Sequence, residues 1–333
     1  MAGSANAFSP KEWKVAVVSD ATHAGATGIG STMNQLDIDS VSMPSLNPTQ
    51  VLDVRSGAGR TLKDEDVFQN NVLRVSEISL SGTLHNDAGH KLLMQNICND
   101  VTTDVAVASN FTAASQNMEG AGGLTNAASS LTLVLQPSDV TNQQGMEFFG
   151  CIVTNFSINA DMGSEGGRYK WSATLQTGRK PDLASTATPT ITAYANTNVP
   201  LLSNSSDVRI SDVSNIVLSS FTASIESAGV FTGPTSSGYA VTSRGPEIAV
   251  TVDTQVKYDA NTKGFINEFD SQTAANTAGN MFKIVNNNAY GVLVTSGLFT
   301  NVALVEGDIM MLDCSIKAVD DGSSDLISFD LSA

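Results

Sequence analysis

A few short stretches carry residue types that do chemistry in other proteins. His85 and His90 lie on either side of Asp87, a grouping that could ligate a metal or act as a general base. Nothing else in the sequence converges on them by spacing, and His23 stands apart in a Gly-rich stretch, so surface or capping histidines are expected. RSGAGR (Arg55 to Arg60) is Gly-rich and basic, as phosphate cradles are, but lacks the GKS or GKT ending and a strong helix signal after it, which leaves a turn. GATGIGS (Gly25 to Ser31) lacks the strand and helix of a dinucleotide-binding unit and reads as a loop. Asp320 and Asp321 could offer oxygens to calcium, yet no EF-hand spacing surrounds them, and solvated turn acids are expected. Cys98, Cys151 and Cys314 are widely spaced with no CxxC, so they read as buried, reduced thiols rather than a disulfide framework or a zinc site. GxSxG and HExxH are absent from the sequence. The expectation is no catalytic residue, no cofactor, no metal and no enzyme activity.

The elements that would have to position any chemistry are mostly strands. Of 333 residues only 15% are charged, with Lys plus Arg 17 against Asp plus Glu 33 and a formal charge of −16. The polar surface is therefore Ser, Thr, Asn and Gln, which favour turns and exposed strand faces over helix interiors. An acidic chain repels nucleic acid, which argues against a DNA-gripping role. No signal peptide is expected, and apolar runs such as Phe148 to Val153 are too short to span a bilayer. Trp13 to Asp20, Leu36 to Met43, Val51 onward, Asn71 to Leu84 and Leu131 to Leu135 read as strands, with a loop or arm over Ala21 to Thr32. His90 to Cys98 reads as a helix with Asp87 as its N-cap, and Asn261 to Phe269 as a short second one. Val208 to Ile225, Glu247 to Tyr258, Met281 to Val285 and Leu326 to Leu331 are further strands.

Gly150 to Gln176 is the clearest segment, an antiparallel hairpin. Ile152, Phe156, Ile158, Ala160 and Met162 share one parity, with Thr154 out of pattern; Asn155, Ser157, Asn159 and Asp161 form a wet face opposite. Gly163 to Gly167 turn the chain, and Tyr169, Trp171, Ala173 and Leu175 carry the apolar face of the return arm.

Gly291 to Lys317 forms a second hairpin that aligns with the first at a constant offset, 291 − 150 = 141. The offset places Glu165 on Glu306 and Gly166 on Gly307 in the turns, and Tyr169, Trp171, Ala173 and Leu175 on Met310, Leu312, Cys314 and Ile316. A slip of one residue would invert every side chain, so phase held through the turn points to an internal duplication. The composition of 183–207, rich in Pro, Thr, Ser and Asn, marks a linker between units at 1–182 and 208–333.

FGCIVTNFSINADMGSEGGRYKWSATLQTG (Phe149 to Gly178) resembles the signature hairpin of bacteriophage tail tube (major tail) proteins, and KVAVVSDATHAGATG, LDIDSVSM and VLDVRSGAG are similar to the N-terminal portion of that family. The resemblance covers the first half; the second joins it through the repeat. It implies a mainly β fold of tandem tail-tube-type β-sandwich or barrel units, each with one short flanking helix. It also implies a structural virion protein that polymerises as stacked rings into the tail tube, the conduit for DNA ejection, after assembly in the host cytoplasm. Implied partners are the chain itself, a tape measure protein inside the tube, and terminator and tip proteins at its ends, with DNA passing without specific binding. Single-unit members form hexameric rings, so a duplicated chain is expected to form a pseudo-six-fold ring of three. The competing reading is a non-polymerising β-sandwich decoration, baseplate or adhesin module; a tube from a phage-derived injection particle is a third.

Overall fold

Apolar side chains recur at every second position through most of this chain, and Ser, Thr, Asn and Gln fill the places between, a pattern that suits pleated strands and little else. The structure is a computed structural model. It describes residues 12–20, 32–42, 49–52, 67–70, 75–85, 87–99, 110–113, 130–139, 144–179, 181–185, 188–194, 199–235, 238–271, 279–286, 291–321 and 326–330. His23, Gly25 to Ser31 and Arg55 to Arg60 lie outside these, as does nearly all of the expected arm.

In the first half the chain forms β1 (Lys14–Ser19), β2 (Thr32–Gln35), β3 (Ser40–Ser42), β4 (Thr49–Leu52), β5 (Val67–Asn70) and β6 (Ser76–Thr83). Next come α1 (Ala88–Cys98), β7 (Asn110–Ala113), β8 (Leu131–Gln136), β9 (Gly145–Asp161), β10 (Lys170–Thr177), β11 (Asp182–Ser185) and β12 (Thr190–Thr192). The second half contributes β13 (Ser205–Ile210), β14 (Leu218–Thr235), β15 (Gly238–Lys257), α2 (Gly264–Asp270) and β16 (Phe282–Asn286). It ends with β17 (Gly291–Val294), β18 (Gly297–Val305), β19 (Met311–Ala318) and β20 (Ile327–Asp330).

One antiparallel run, β3-β6-β10-β9-β14-β15-β19-β18, crosses both halves without a break. Its inner face buries Ile78, Leu80, Phe156, Ile158, Trp171, Leu175, Phe221, Ile225, Val252, Leu312 and Ile316. Three further strand groups lie beyond this run, one of them the two-stranded sheet β4-β5. The first half of β9 turns away into β12-β2-β1-β8-β9, and a five-stranded sheet runs β13-β16-β17-β20-β7. Phe156 meets Phe329 edge to face at 5.9 Å, and Phe221 lies 5.7 Å from Phe282, so the five-stranded sheet closes the core as the second layer of a sandwich.

Several expectations are refined by this architecture. Leu36 to Met43 is not one strand: the chain leaves β2, crosses over β6 and enters β3. The crossing is so close that a Cβ on Gly82 would stand 1.9 Å from the Asp37 carbonyl oxygen, so only glycine fits beneath it. Thr154 breaks the alternation because a β-bulge sits there; Thr174 faces Asn155 but Leu175 faces Val153. The bulge turns Cys151 and Val153 into the core beside Phe156, and it turns Ile152 to the other side, where it is buried against Gly229 of β14. Met162, expected on the apolar parity, is 44% exposed because β9 has ended and the turn has begun. The stretch expected as a linker, 183–207, contributes β12, most of β11 and the start of β13. β11 pairs with β9 and β12 with β2 in parallel. Short strands of this kind are held by backbone pairing and need no apolar run, which is why composition hides them.

α1 forms where capping and spacing place it, whereas α2 begins at Gly264, three residues after the expected Asn261, with no side-chain cap. Asp87 stands at φ −135°, ψ 167° and its carboxylate accepts from the His90 N–H, as an N-cap does. α1 then ends at Asn99 in the left-handed region, φ 53°.

Candidate functional site

The outer face of the long sheet is an organised polar surface, and its side chains line up in rungs. One rung runs Ser40, Ser81, Ser172, Ser157, Ser224, Thr251 and Lys317. The next runs Thr83, Lys170, Asn159, Thr222, Asp253, Ser315 and Asn301. Neighbouring hydroxyls bond along the rungs, Ser40 to Ser81 at 2.7 Å and Ser157 to Ser172 at 2.7 Å. Amides reach carboxylates: Asn155 Nδ2 donates to Glu226 at 2.8 Å, Gln176 to Glu77 at 3.1 Å and Gln255 to Asp313 at 2.9 Å.

Asn155, Ser157, Asn159 and Asp161 lie on this outer face, the first two half-buried and the last two exposed. The flanking strands widen it with Glu77, Ser79 and Ser81 on β6 and Ser220, Thr222 and Ser224 on β14. Alternation in those strands is legible in the sequence; which strands stand side by side is not. Three lysines reach the face, Lys170, Lys257 and Lys317. Lys170 is held by Asp39 at 2.8 Å and by Glu165 at 2.8 Å. Burial pulls its ammonium down, but the two carboxylates outweigh that and hold it above the ordinary lysine value. With Glu77, Asp161, Glu226, Asp253 and Asp313 on the same face, the surface is neutral to acidic and rich in short hydroxyls. Such a surface offers phosphates little to grip.

Glu165 and Gly166 sit in the first hairpin turn with φ of 48° and 70°. Glu306 and Gly307 sit in the second turn, between Val305 of β18 and Met311 of β19. The return arms keep the expected offset, since β10 begins at 170 and β19 at 311, and 311 − 170 = 141. The first arms do not. Lys170 faces Asn159 and Met311 faces Val305, so their offset is 305 − 159 = 146 and Gly145, not Gly150, matches Gly291. The second turn is five residues shorter. Loops absorb such changes at small cost, whereas strand pairing fixes register. Met310 accordingly lies in the turn, 45% exposed, while Tyr169 is 1% exposed.

Under the corrected correspondence the two hairpins share their bulge. Thr154 Oγ1 donates to the Thr174 carbonyl at 3.2 Å, and Thr300 Oγ1 donates to the Ser315 carbonyl at 3.2 Å, both at the register shift. The strand before each return arm also matches: Leu84 N donates to the Tyr169 carbonyl at 3.0 Å and Tyr258 N to the Met310 carbonyl at 3.0 Å.

His85 and His90 do come together, with ring centroids 5.9 Å apart, but behind the sheet and away from the polar face. His85 Nε2 bonds Asp37 at 2.7 Å and His90 Nδ1 bonds Asp87 at 2.8 Å, and both imidazoles are buried. His90 also stands edge-on to Trp171 at 5.2 Å. The Asp37 partnership crosses 48 positions and leaves no sequence signal. No group of three or more His, Cys, Asp or Glu able to hold a metal occurs among the described residues. The cysteines are free and buried, and burial pushes the Cys314 thiol up to about 12 and the Cys151 thiol higher, so neither is a poised nucleophile. Ser296 Oγ donates to Asp321 at 2.9 Å.

No helix among the described residues is long and apolar enough to cross a membrane. No curated protein matches the chain. A family model described as phage tail tube protein matches residues 23–331, nearly its whole length.

Proposed function

This chain belongs to the phage tail tube protein family, and from that premise we propose that copies of it close into rings and stack into the tube through which DNA leaves the particle. Its role is structural and its place is the virion tail. The observation that carries the proposal further is the polar face, an unbroken eight-strand surface spanning both halves with hydroxyl rungs, more carboxylates than lysines, and Lys170 held between two carboxylates. Lining a lumen with that face lets the phosphate backbone slide past without counterion-releasing contacts. The opposite face is already occupied by the sandwich core.

The matching registers of the two halves support a duplicated subunit, and three such chains supply six sheet units to a ring. Inside the tube the same face accommodates a tape measure protein before DNA passes, and terminator and tip proteins complete the two ends. No catalytic step belongs to this role.

Negative-stain imaging of the purified protein at high concentration tests the reading. Uniform hollow tubes with three chains per ring are expected, the stoichiometry from the mass of an isolated ring. Discrete monomers or trimers that never polymerise overturn the tube in favour of a decoration or baseplate module. Six chains per ring overturn the pairing of duplication with three-fold assembly.

A further inference from the structure

The link between the two halves begins with β11, and its hold on β9 contains an electrostatic flaw. β11 pairs antiparallel with β9 at two points, Asp182 opposite Glu147 and Ser185 opposite Gly145, with a register shift between them. A four-residue strand with a shift in it makes few backbone hydrogen bonds, so one side-chain contact weighs heavily in whether it stays in place.

The rung that crosses this point runs Gln35, Ala16, Val134, Glu147 and Asp182 over β2, β1, β8, β9 and β11. Opposed residues share a face, so Glu147 has an apolar neighbour on one side and a second carboxylate on the other. Ala16 and Val134 form a small buried cluster with Met33, and Glu147 is itself only 4% exposed. The rung brings no cation to it. The buried Ser185 hydroxyl donates to Glu147 Oε1, and one neutral hydroxyl compensates a buried charge only in part. Like charges directly opposite on paired strands are destabilising as well. A proton on Glu147 removes both flaws and keeps the Ser185 contact, because a carboxylic acid still offers an acceptor oxygen.

We propose that Glu147 is a proton-operated clasp on the link between the halves: with its carboxyl neutral β11 lies fastened along β9, and with it ionised β11 lifts away more readily and opens the edge of β9 at 145–147. The clasp acts within one chain, so it goes beyond the tube reading and does not rest on it. The direction of titration agrees. Burial raises the Glu147 carboxyl above the ordinary glutamate value, the Ser185 hydrogen bond lowers it by less, and the charge of Asp182 raises it further. A carboxyl raised in the fastened state contributes its stability in full below the ordinary value of about 4.3 and loses it as pH rises through the raised one. The charged group facing Glu147 from β11 is Asp182, and β8 presents Val134.

Hydrogen exchange of the full chain, read as protection factors for the amides of Asp182–Ser185 at about pH 4 and about pH 8, tests the clasp. In the wild type, protection is expected to be lower at the higher pH, by about tenfold for each pH unit that separates the fastened from the free carboxyl. Glu147→Gln keeps an acceptor for Ser185 and cannot ionise, so its β11 is expected to be equally protected at both pH values and to match the wild type in acid. Asp182 is exposed, and Asp182→Asn removes only the opposing charge, a smaller cause than burial. The pH dependence is expected to shrink in that variant without vanishing. The amides of β12, a strand that faces Thr32, Met33 and Asn34, have no titrating partner in register and are expected to keep their protection throughout. Wild-type β11 equally protected at both pH values overturns the clasp, as does a Glu147→Gln chain that keeps the wild-type dependence. A fall shared by β12 overturns it too, because the opening is then not confined to β11. Each of these results leaves the tube reading standing, since polymerisation is judged by imaging.

Discussion

α1 and α2 each follow the strand that pairs with a hairpin's return arm, and each reaches the bulged position of that hairpin's first arm. In the first half the position is Val153, facing Leu175; in the second it is Phe299, facing Ile316. α1 meets its bulge with a hydrogen bond, the Val153 N–H donating to Asn96 Oδ1 at 2.7 Å. α2 meets its bulge with an aromatic contact, Phe265 against Phe299 at 5.3 Å. The rest of each helix follows from that choice. A directional polar contact needs a fixed helix, and α1 has eleven residues, an Asp87 cap and a buried imidazole, His90, held by the Asp87 carboxylate, with the buried His85 held by Asp37 just before it. A ring contact is tolerant, and α2 manages with seven residues, no side-chain N-cap and one buried side chain, Phe265. The strand path therefore dictates that something must cover the bulge and leaves its chemistry free.

Removing the apolar cover should cost most. Phe265→Ala empties a fully buried aromatic site, and a loss of about 3–5 kcal/mol is expected from denaturant unfolding. The comparison sharpens if hydrogen exchange shows the loss in β18 and β19 while β9 and β10 keep their protection. A uniform loss across both hairpins breaks the idea that each helix serves its own half.

Asn96→Ala should cost about 1–3 kcal/mol, the penalty for taking a hydrogen-bond partner from a buried backbone group. Asn96→Leu is the sharper variant. It imitates the apolar solution of α2 in volume but offers the Val153 N–H no acceptor, so it should fail to rescue, and the Val153 amide should exchange faster. Full rescue by leucine would mean that α1 works by packing alone, as α2 does. Asp87→Ala follows at roughly 1 kcal/mol for a lost N-cap. No such loss is expected from Lys263→Ala at the start of α2, where no side-chain cap exists.

The sequence makes the α1 cap legible and the α1 chemistry illegible for one reason, distance along the chain. Asp87 lies three positions from His90, and capping is a local rule. Asn96 lies 57 positions from Val153, and Asp37 lies 48 from His85; both pairings follow from sheet order, which alternation does not encode. The hairpins fared likewise. Period two gave both arms and the wet parity of Asn155, Ser157, Asn159 and Asp161, while Thr154 stood out as an exception without announcing a bulge. The constant offset of 141 failed at the first arm because linear alignment does not register a turn shortened by five residues, and cross-strand pairing does. The placement of β14 is the largest omission, since the strand expected over Val208 to Ile225 divides into β13 and the start of β14. Its pairing with both β9 and β15 makes one sheet of two halves, and no local pattern in Leu218 to Thr235 says which strand it will join.

Acid offers the gentlest way to separate the halves. The hydrogen bond from His85 holds the Asp37 carboxyl below the ordinary carboxylate value, more than offsetting the rise that burial causes; the charges of His85 and His90 and a Tyr194 bond add to the lowering. A depressed carboxylate contributes stability that is fully present above its unfolded value, about 3.9. The contribution fades as pH falls through the lower folded value. All three histidines of the chain, His23, His85 and His90, lie in the first half, so α2 has no such pair to lose. The stability difference between wild type and His85→Gln should therefore stand at about pH 6 and be smaller at an acid pH below the folded value of Asp37, where that carboxyl is protonated in both proteins. Trp171 fluorescence follows the α1 side, because the indole lies against His90. Trp13→Phe removes the other tryptophan signal. A difference unchanged between the two pH values would detach Asp37 from the stability of α1 and leave the two helices distinguished by Asn96 and the cap alone.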